Sequence, residues 1–256
     1  MLDSKCLLMM RLYIHVNKKG KPQIHLTWNY HISMTSFMYN AIGNGNSKKA
    51  SLLHQKKHAP PYSFSNFMHM GPFQTNEQGL FVSKGYFVIT SDDEEIINHI
   101  NNYVSEHDLK IGNTTLPVVS TSIEEVKGYD GLNTYETLSP VCVGELPWDS
   151  KDGVREWYEP TDAMFASRLK ESVQSKLEHI DGLHDEFKFK IKDYNWTDKK
   201  VKRINSDIEI PATRMSMNIE MDKKTSKFIQ VHGLGEKTGM GFGNIIAEQD
   251  MTQKYR

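Results

Sequence analysis

The chain has 256 residues, and its 31 lysines and arginines against 32 aspartates and glutamates leave a formal net charge of −1 that advertises neither nucleic acid nor membrane. Hydrophobic residues make up 38%, enough for packed cores and too many for a disordered chain, while two cysteines exclude a disulfide scaffold and a four-cysteine zinc site. No apolar run nears the roughly 18 residues of a spanning helix and no signal peptide is marked, so the expectation is a cytoplasmic protein of one large or two small domains, with no membrane partner.

The charge is unevenly spread. Residues 1–76 carry nine basic groups and one acidic group, residues 77–163 five and seventeen, and residues 164–256 seventeen and fourteen. The first block also holds six of the eleven histidines and suits a polyanion. The acidic middle is expected to face away from that polyanion or towards a protein partner.

In chain order, residues 10–16 alternate as a strand, with Leu12, Ile14 and Val16 inward and Arg11, Tyr13 and His15 on a face open to RNA bases or to solvent. The stripe Met34, Phe37, Met38, Ala41 and Ile42 predicts a helix that Gly43 to Asn46 break. Ser47 then caps a second short helix through Leu53 and His54, ending before Pro60. Residues 79–90 predict a hairpin, and Ser91 with its acids opens a helix that buries Ile96, Ile97, Ile100 and Val104. A strand over residues 116–123 completes a ferredoxin-like βαββαβ order. Turn-like residues 128–131 mark a boundary, giving domains over 1–127 and 128–256.

The second half predicts a strand over 135–143 and a helix opened by Thr161 and Asp162, with Phe165, Leu169, Val173 and Leu177 buried. Strands follow at 187–191, 208–221 and 228–231, with a helix between the first two poorly marked. Lys188, Lys190 and Lys192 alternate onto one strand face, and Lys199, Lys200, Lys202 and Arg203 continue the basic stretch, which also reads as a solvated face. Near the end stand five glycines at 233, 235, 239, 241 and 243. Glu236 precedes Lys237 where a P-loop needs glycine, Thr238 stands where the dinucleotide fingerprint needs its third glycine, and a strand follows instead of a helix. What remains is a connection whose backbone approaches something closely, with NH groups and Lys237 able to face an anion.

Gly233-Leu234-Gly235 and Gly241-Phe242-Gly243 flank a five-residue spacer that includes the basic Lys237. With the Tyr39 helix, Leu52-Leu53-His54, Tyr62-Ser63-Phe64-Ser65 and Thr137-Leu138-Ser139-Pro140, this pattern resembles the CRISPR-associated repeat-RNA endoribonucleases of the RAMP superfamily, archaeal members above all. The resemblance implies an α+β fold of two tandem ferredoxin-like, RRM-like domains. It also implies metal-independent and cofactor-free cleavage of CRISPR repeat RNA, in which the 2′-hydroxyl attacks the adjacent phosphate and leaves a 2′,3′-cyclic phosphate and a 5′-hydroxyl. The guide RNA would pass to surveillance-complex subunits, from a monomer or a homodimer.

Carried over residue by residue, the family's histidine falls on His54 and its tyrosine on Tyr39. An imidazole exchanges protons near neutrality, and a helix C-terminus favours its acid form; the phenol suits hydrogen bonding to the 2′-hydroxyl or phosphate before proton abstraction. The helix break would bring the two together. A lysine of archaeal members falls on Pro60, so Lys57, Lys56 or His58 is left for the third role. His54 and His58 have the spacing of two metal ligands but lack a third ligand and the zincin glutamate. RNA binding is expected from Lys56, Lys188, Lys190, Lys192, Lys202, Arg203 and the loop residues Gly233, Gly235, Lys237, Gly239, Gly241 and Gly243. The missing lysine leaves a non-catalytic RAMP-like RNA-binding subunit as the alternative, and an ordinary single-strand RNA-binding module as a third reading.

Overall fold

A computed structural model describes residues 8–18, 23–55, 60–145, 156–180, 187–203 and 209–251. The first half runs β1 (Met10–Asn17), β2 (Ile24–Thr27), α1 (Tyr30–Gly45), α2 (Ser47–Gln55), β3 (Tyr62–Phe64), β4 (Met68–His69), β5 (Phe73–Asn76), β6 (Gly79–Val82), β7 (Lys84–Ser91), α3 (Glu94–Glu106), β8 (Leu109–Ile111), β9 (Thr114–Leu116) and β10 (Val118–Glu125). Its main sheet has the order β10-β1-β7-β3, all antiparallel, with β4 added beside β7. Numbered by chain position, those four strands stand 4-1-3-2, the ferredoxin-like arrangement. Leu12, Ile14 and Val16 of β1 are buried beneath α1 and α3, as their alternation requires. Asp93 caps α3 by accepting from the Glu95 NH, and the helix buries Ile96, Ile97, Ile100 and Val104 at helical spacing. β2, β6 and β5 form a separate three-stranded sheet, and β8 pairs with β9.

The second half runs β11 (Gly131–Thr137), β12 (Val143–Glu145), β13 (Glu156–Tyr158), α4 (Phe165–Ile180), β14 (Phe189–Arg203), β15 (Glu209–Met221), α5 (Lys223–His232), a 3-10 turn at Thr238–Met240, β16 (Ile245–Ala247) and α6 (Glu248–Met251). Its sheet order, β14-β15-β11-β16, repeats the 4-1-3-2 permutation. Residues 228–231, expected as a strand, lie in α5. Asp222 caps that helix through the Thr225 NH at 2.8 Å and the Thr225 hydroxyl at 2.6 Å, and Phe228, Ile229, Val231 and His232 are buried together. A short apolar run has the same appearance in either structure, and here the cap decides it. The helix sought before the 208–221 strand therefore follows it, and β14 and β15 form one long hairpin. The strand expected over 135–143 begins earlier, at Gly131, and stops at Thr137.

The two sheets meet through the faces their helices leave open, where Tyr13, Tyr86 and Val88 pack against Leu138 and Ile246. Arg11 and Tyr13 are therefore buried, at 1% and 3% exposure, and are not an open RNA-stacking face. The Arg11 guanidinium pairs with Glu124 at 3.2 Å and Asp250 at 3.6 Å and donates to Gln230 Oε1 at 3.1 Å, tying the halves together. A second polar seam joins them where Asn244 Nδ2 donates to Ser63 Oγ at 2.8 Å, while the Ser63 and Thr90 hydroxyls each donate to the Val231 carbonyl at 2.8 Å. No helix of the described residues is long and apolar enough to cross a membrane.

Candidate active site at the corner of α1 and α2

α1 does not break at Gly43; it continues through Gly45, and the chain turns at Asn46, which is extended at φ −154° and ψ 92°. Asn46, rather than Ser47, caps α2, its Oδ1 accepting from the Lys49 NH at 2.9 Å. A side chain at Gly43 would begin only 3.5 Å from the Ala50 Cβ, which measures how closely the two helices approach. The fold-back sets the Tyr39 and His54 rings edge to face, with centroids 5.4 Å apart at 77°. Tyr39 is half-buried against the core, while His54, in the last turn of α2, is open to solvent.

Little apolar burial holds α2. Leu53 is its buried residue and Leu52 is 52% exposed. Polar ties take over: Lys49 Nζ reaches Asp93 Oδ2 and Glu95 Oε2, both at 2.6 Å, and Asn46 Nδ2 donates to Glu95 Oε1 at 2.8 Å. Lys49, Asn46 and His99, in that order, hold the Glu95 carboxyl down at about 2. Acids of the middle block thus anchor the helix that carries His54.

Strand alternation in β3 sends Ser63 into the seam between the halves and Tyr62 and Phe64 to the helix side, both fully buried. Burial pushes the Tyr62 phenol well up, and the adjacent Tyr39 hydroxyl adds to that shift.

The glycine connection is buried between the halves. Gly233, Gly235, Gly241 and Gly243 have φ between 62° and 76°, and Lys237 is itself left-handed at 57°. A Cβ at Gly243 would strike the Leu234 carbonyl, one at Gly235 the Cys142 carbonyl, one at Gly241 the Phe64 ring and one at Gly239 the Pro60 ring. Backbone NH groups of Leu234, Glu236, Gly241 and Gly243 bond to protein carbonyls at 2.8–3.1 Å. Close backbone packing thus accounts for the glycines, and Lys237 is the loop's exposed cation. From α4, Lys176 Nζ donates to the Gly233 carbonyl at 3.1 Å and Ser172 Oγ to the Gly235 carbonyl at 3.0 Å. Desolvation of its amine brings Lys176 down to about 8, against the pull of Glu236 and Cys142.

The remaining sequence candidates are dispersed. Lys188, Lys190 and Lys192 are exposed along the outer edge of the C-terminal sheet, on the other half from Tyr39 and His54. Lys192 Nζ pairs with Glu220 Oε2 at 2.5 Å, and Lys192, Lys190 and Lys188 together lower the Glu220 carboxyl. Lys202 and Arg203 belong to β14, but their side chains lie outside the described residues, as do Lys56, Lys57 and His58 entirely. The structure therefore brings Tyr39 and His54 together and leaves the third catalytic role open. Sequence reasoning missed Asn46, Glu95, Tyr62 and Lys176; the asparagine one residue ahead of the assumed Ser47 cap was the one visible signal among them.

Two ferredoxin-like halves joined through their open sheet faces, with a glycine-rich connection before the last strand, make up the architecture in which the Tyr39–His54 corner sits. Residues 123–246 match the family model described as CRISPR associated protein Cas6, C-terminal. The chain is 24% identical to CRISPR-associated endoribonuclease Cas6 1 of Methanocaldococcus jannaschii, over 90% of this chain and 91% of that one. It is likewise 24% identical to CRISPR-associated endoribonuclease Cas6 of Pyrococcus furiosus, over 96% of this chain and 92% of the relative. A solved structure described as "An RAMP protein binding different RNA substrates" superimposes with a TM-score of 0.81 at 22% identity, covering 93% of this chain and 99% of that one. Its C-terminal part thus matches the Cas6 C-terminal family model, and the chain as a whole is similar to curated Cas6 endoribonucleases.

Proposed function

We propose that the protein is a metal-independent endoribonuclease that cuts CRISPR repeat transcripts to supply guide RNAs, acting in the cytoplasm on RNA that it passes to surveillance-complex subunits. The observation that carries this reading is the Tyr39–His54 pair at the α1–α2 corner. In the reaction the ribose 2′-oxygen bonds to phosphorus as its proton leaves, the bond from phosphorus to the 5′-oxygen breaks, and that oxygen takes up a proton. His54, open to solvent, delivers the proton to the leaving oxygen; Tyr39 hydrogen-bonds the attacking hydroxyl or the phosphate. Lys57 or Lys56, in the segment that follows α2, supplies positive charge to the phosphorane. Residues 1–127 and 128–256 act as two domains, and the RNA spans both, from the α1–α2 corner past Lys237 and the glycine connection to the lysine row of β14.

The test is cleavage of repeat RNA in EDTA beside the same RNA carrying a 2′-deoxy nucleotide at the cut site. Wild type cuts the first and spares the second, and His54→Ala cuts at least about 100-fold more slowly while binding equally well. A second reading, a RAMP-like subunit that binds RNA without cutting it, draws on Pro60, which stands where archaeal relatives place a lysine. Tight binding of both RNAs with cleavage of neither supports that subunit instead.

A further inference from the structure

We propose that Tyr62 is a positioning residue for Tyr39: its hydroxyl donates to Tyr39 Oη once RNA is bound and aims the Tyr39 proton at the substrate. This rests on the endoribonuclease reading. Tyr62 is 0% exposed, and its hydroxyl is enclosed without a hydrogen-bond partner. A buried phenol that satisfies nothing is a standing penalty, and a valine or phenylalanine of β-strand propensity would fill the same core position without it. β3 points this side chain at the side of the sheet covered by α1, where Tyr39 packs against the same core. Burial first, and Tyr39 after it, raises the Tyr62 phenol, so Tyr62 keeps its proton and serves as a donor throughout the working pH range. A hydroxyl that accepts one hydrogen bond becomes a stronger donor in the next, so Tyr62 sharpens Tyr39 without touching RNA.

The decisive variant is Tyr62→Phe, which removes one oxygen and preserves the ring. We expect single-turnover cleavage to fall roughly tenfold, the scale of one lost hydrogen bond, while RNA affinity is unchanged and the thermal midpoint stays level or rises because an unsatisfied buried hydroxyl is gone. A double-mutant cycle then separates positioning from packing: Tyr39→Phe combined with Tyr62→Phe loses no more than Tyr39→Phe alone. Full activity of Tyr62→Phe beside an active wild type, or losses that simply add, overturns the positioning role and leaves the endoribonuclease reading intact. A wild type that binds repeat RNA but never cuts it overturns both.

Discussion

Lys176 shows how burial turns a common residue into a titrating one. Its amine donates to the Gly233 carbonyl from α4, and desolvation brings it to about 8 from an ordinary 10.5. Between those values the unfolded chain holds a proton that the folded chain has released, so stability rises with pH over that window. The rise is cut off near pH 10, where the unfolded chain begins to ionise tyrosines such as Tyr62 and Tyr30, whose phenols burial holds up in the fold. Denaturant midpoints measured at pH 7.5 and 9.5 should therefore increase with pH in wild type, and Lys176→Met should flatten that increase; an equal increase in the variant removes Lys176 as its source. His54 and Tyr39 were legible in the sequence through the resemblance of their segments to a known family, and an imidazole and a phenol suit the roles that the resemblance implies. Lys176 was not, because its titration depends on what a distant element places opposite it, the backbone carbonyl of Gly233.

Among the elements, the α1–α2 corner and the glycine connection use glycine for opposite reasons. Gly43 lies inside α1 with helical neighbours, and an added Cβ meets the Ala50 methyl at an ordinary 3.5 Å. Gly241 has φ at 76°, and an added Cβ there strikes the Phe64 ring beneath β3. Gly43→Ala should therefore stabilise the protein by about 0.5–1 kcal/mol, the helix penalty of glycine, whereas Gly241→Ala should destabilise it by at least about 2 kcal/mol through overpacking and left-handed strain; calorimetry or urea unfolding reads both. A stabilised Gly241→Ala would mean that the connection is looser than its packing indicates. The sequence pattern located both segments but judged the first by the general habit of glycine, ending α1 three residues early, at Ile42 rather than Gly45, because the closeness of Ala50 is a tertiary fact. The same limit explains residues 228–231: three apolar residues in four fit either period, and only the Asp222 cap makes them helix.

At the scale of the molecule, the net charge of −1 conceals pairings as well as blocks. Acids of the middle block do not withdraw to one side: Asp93 and Glu95 hold Lys49, Glu124 holds Arg11, and Glu125 pairs with Lys227 at 2.8 Å. Cations already answered in this way contribute less to a polyanion than a count of lysines suggests. The lysine row of β14 makes the distinction measurable, because Lys188 and Lys190 are open while Lys192 faces Glu220 at 2.5 Å. For single-stranded RNA each phosphate neutralised steepens the fall of log affinity against log salt by about 0.7. Lys188→Ala with Lys190→Ala should thus flatten the slope by about 1.4, and Lys192→Ala by less than about 0.7, since its charge is shared with a carboxylate. Cleavage of RNA already bound should be unchanged in all three substitutions, because the row lies on the half opposite Tyr39 and His54. Slopes identical to wild type would remove β14 from the RNA path and leave Lys237 as the C-terminal contact. A loss of cleavage in the bound state would instead show that the edge strand sets how RNA enters the α1–α2 corner.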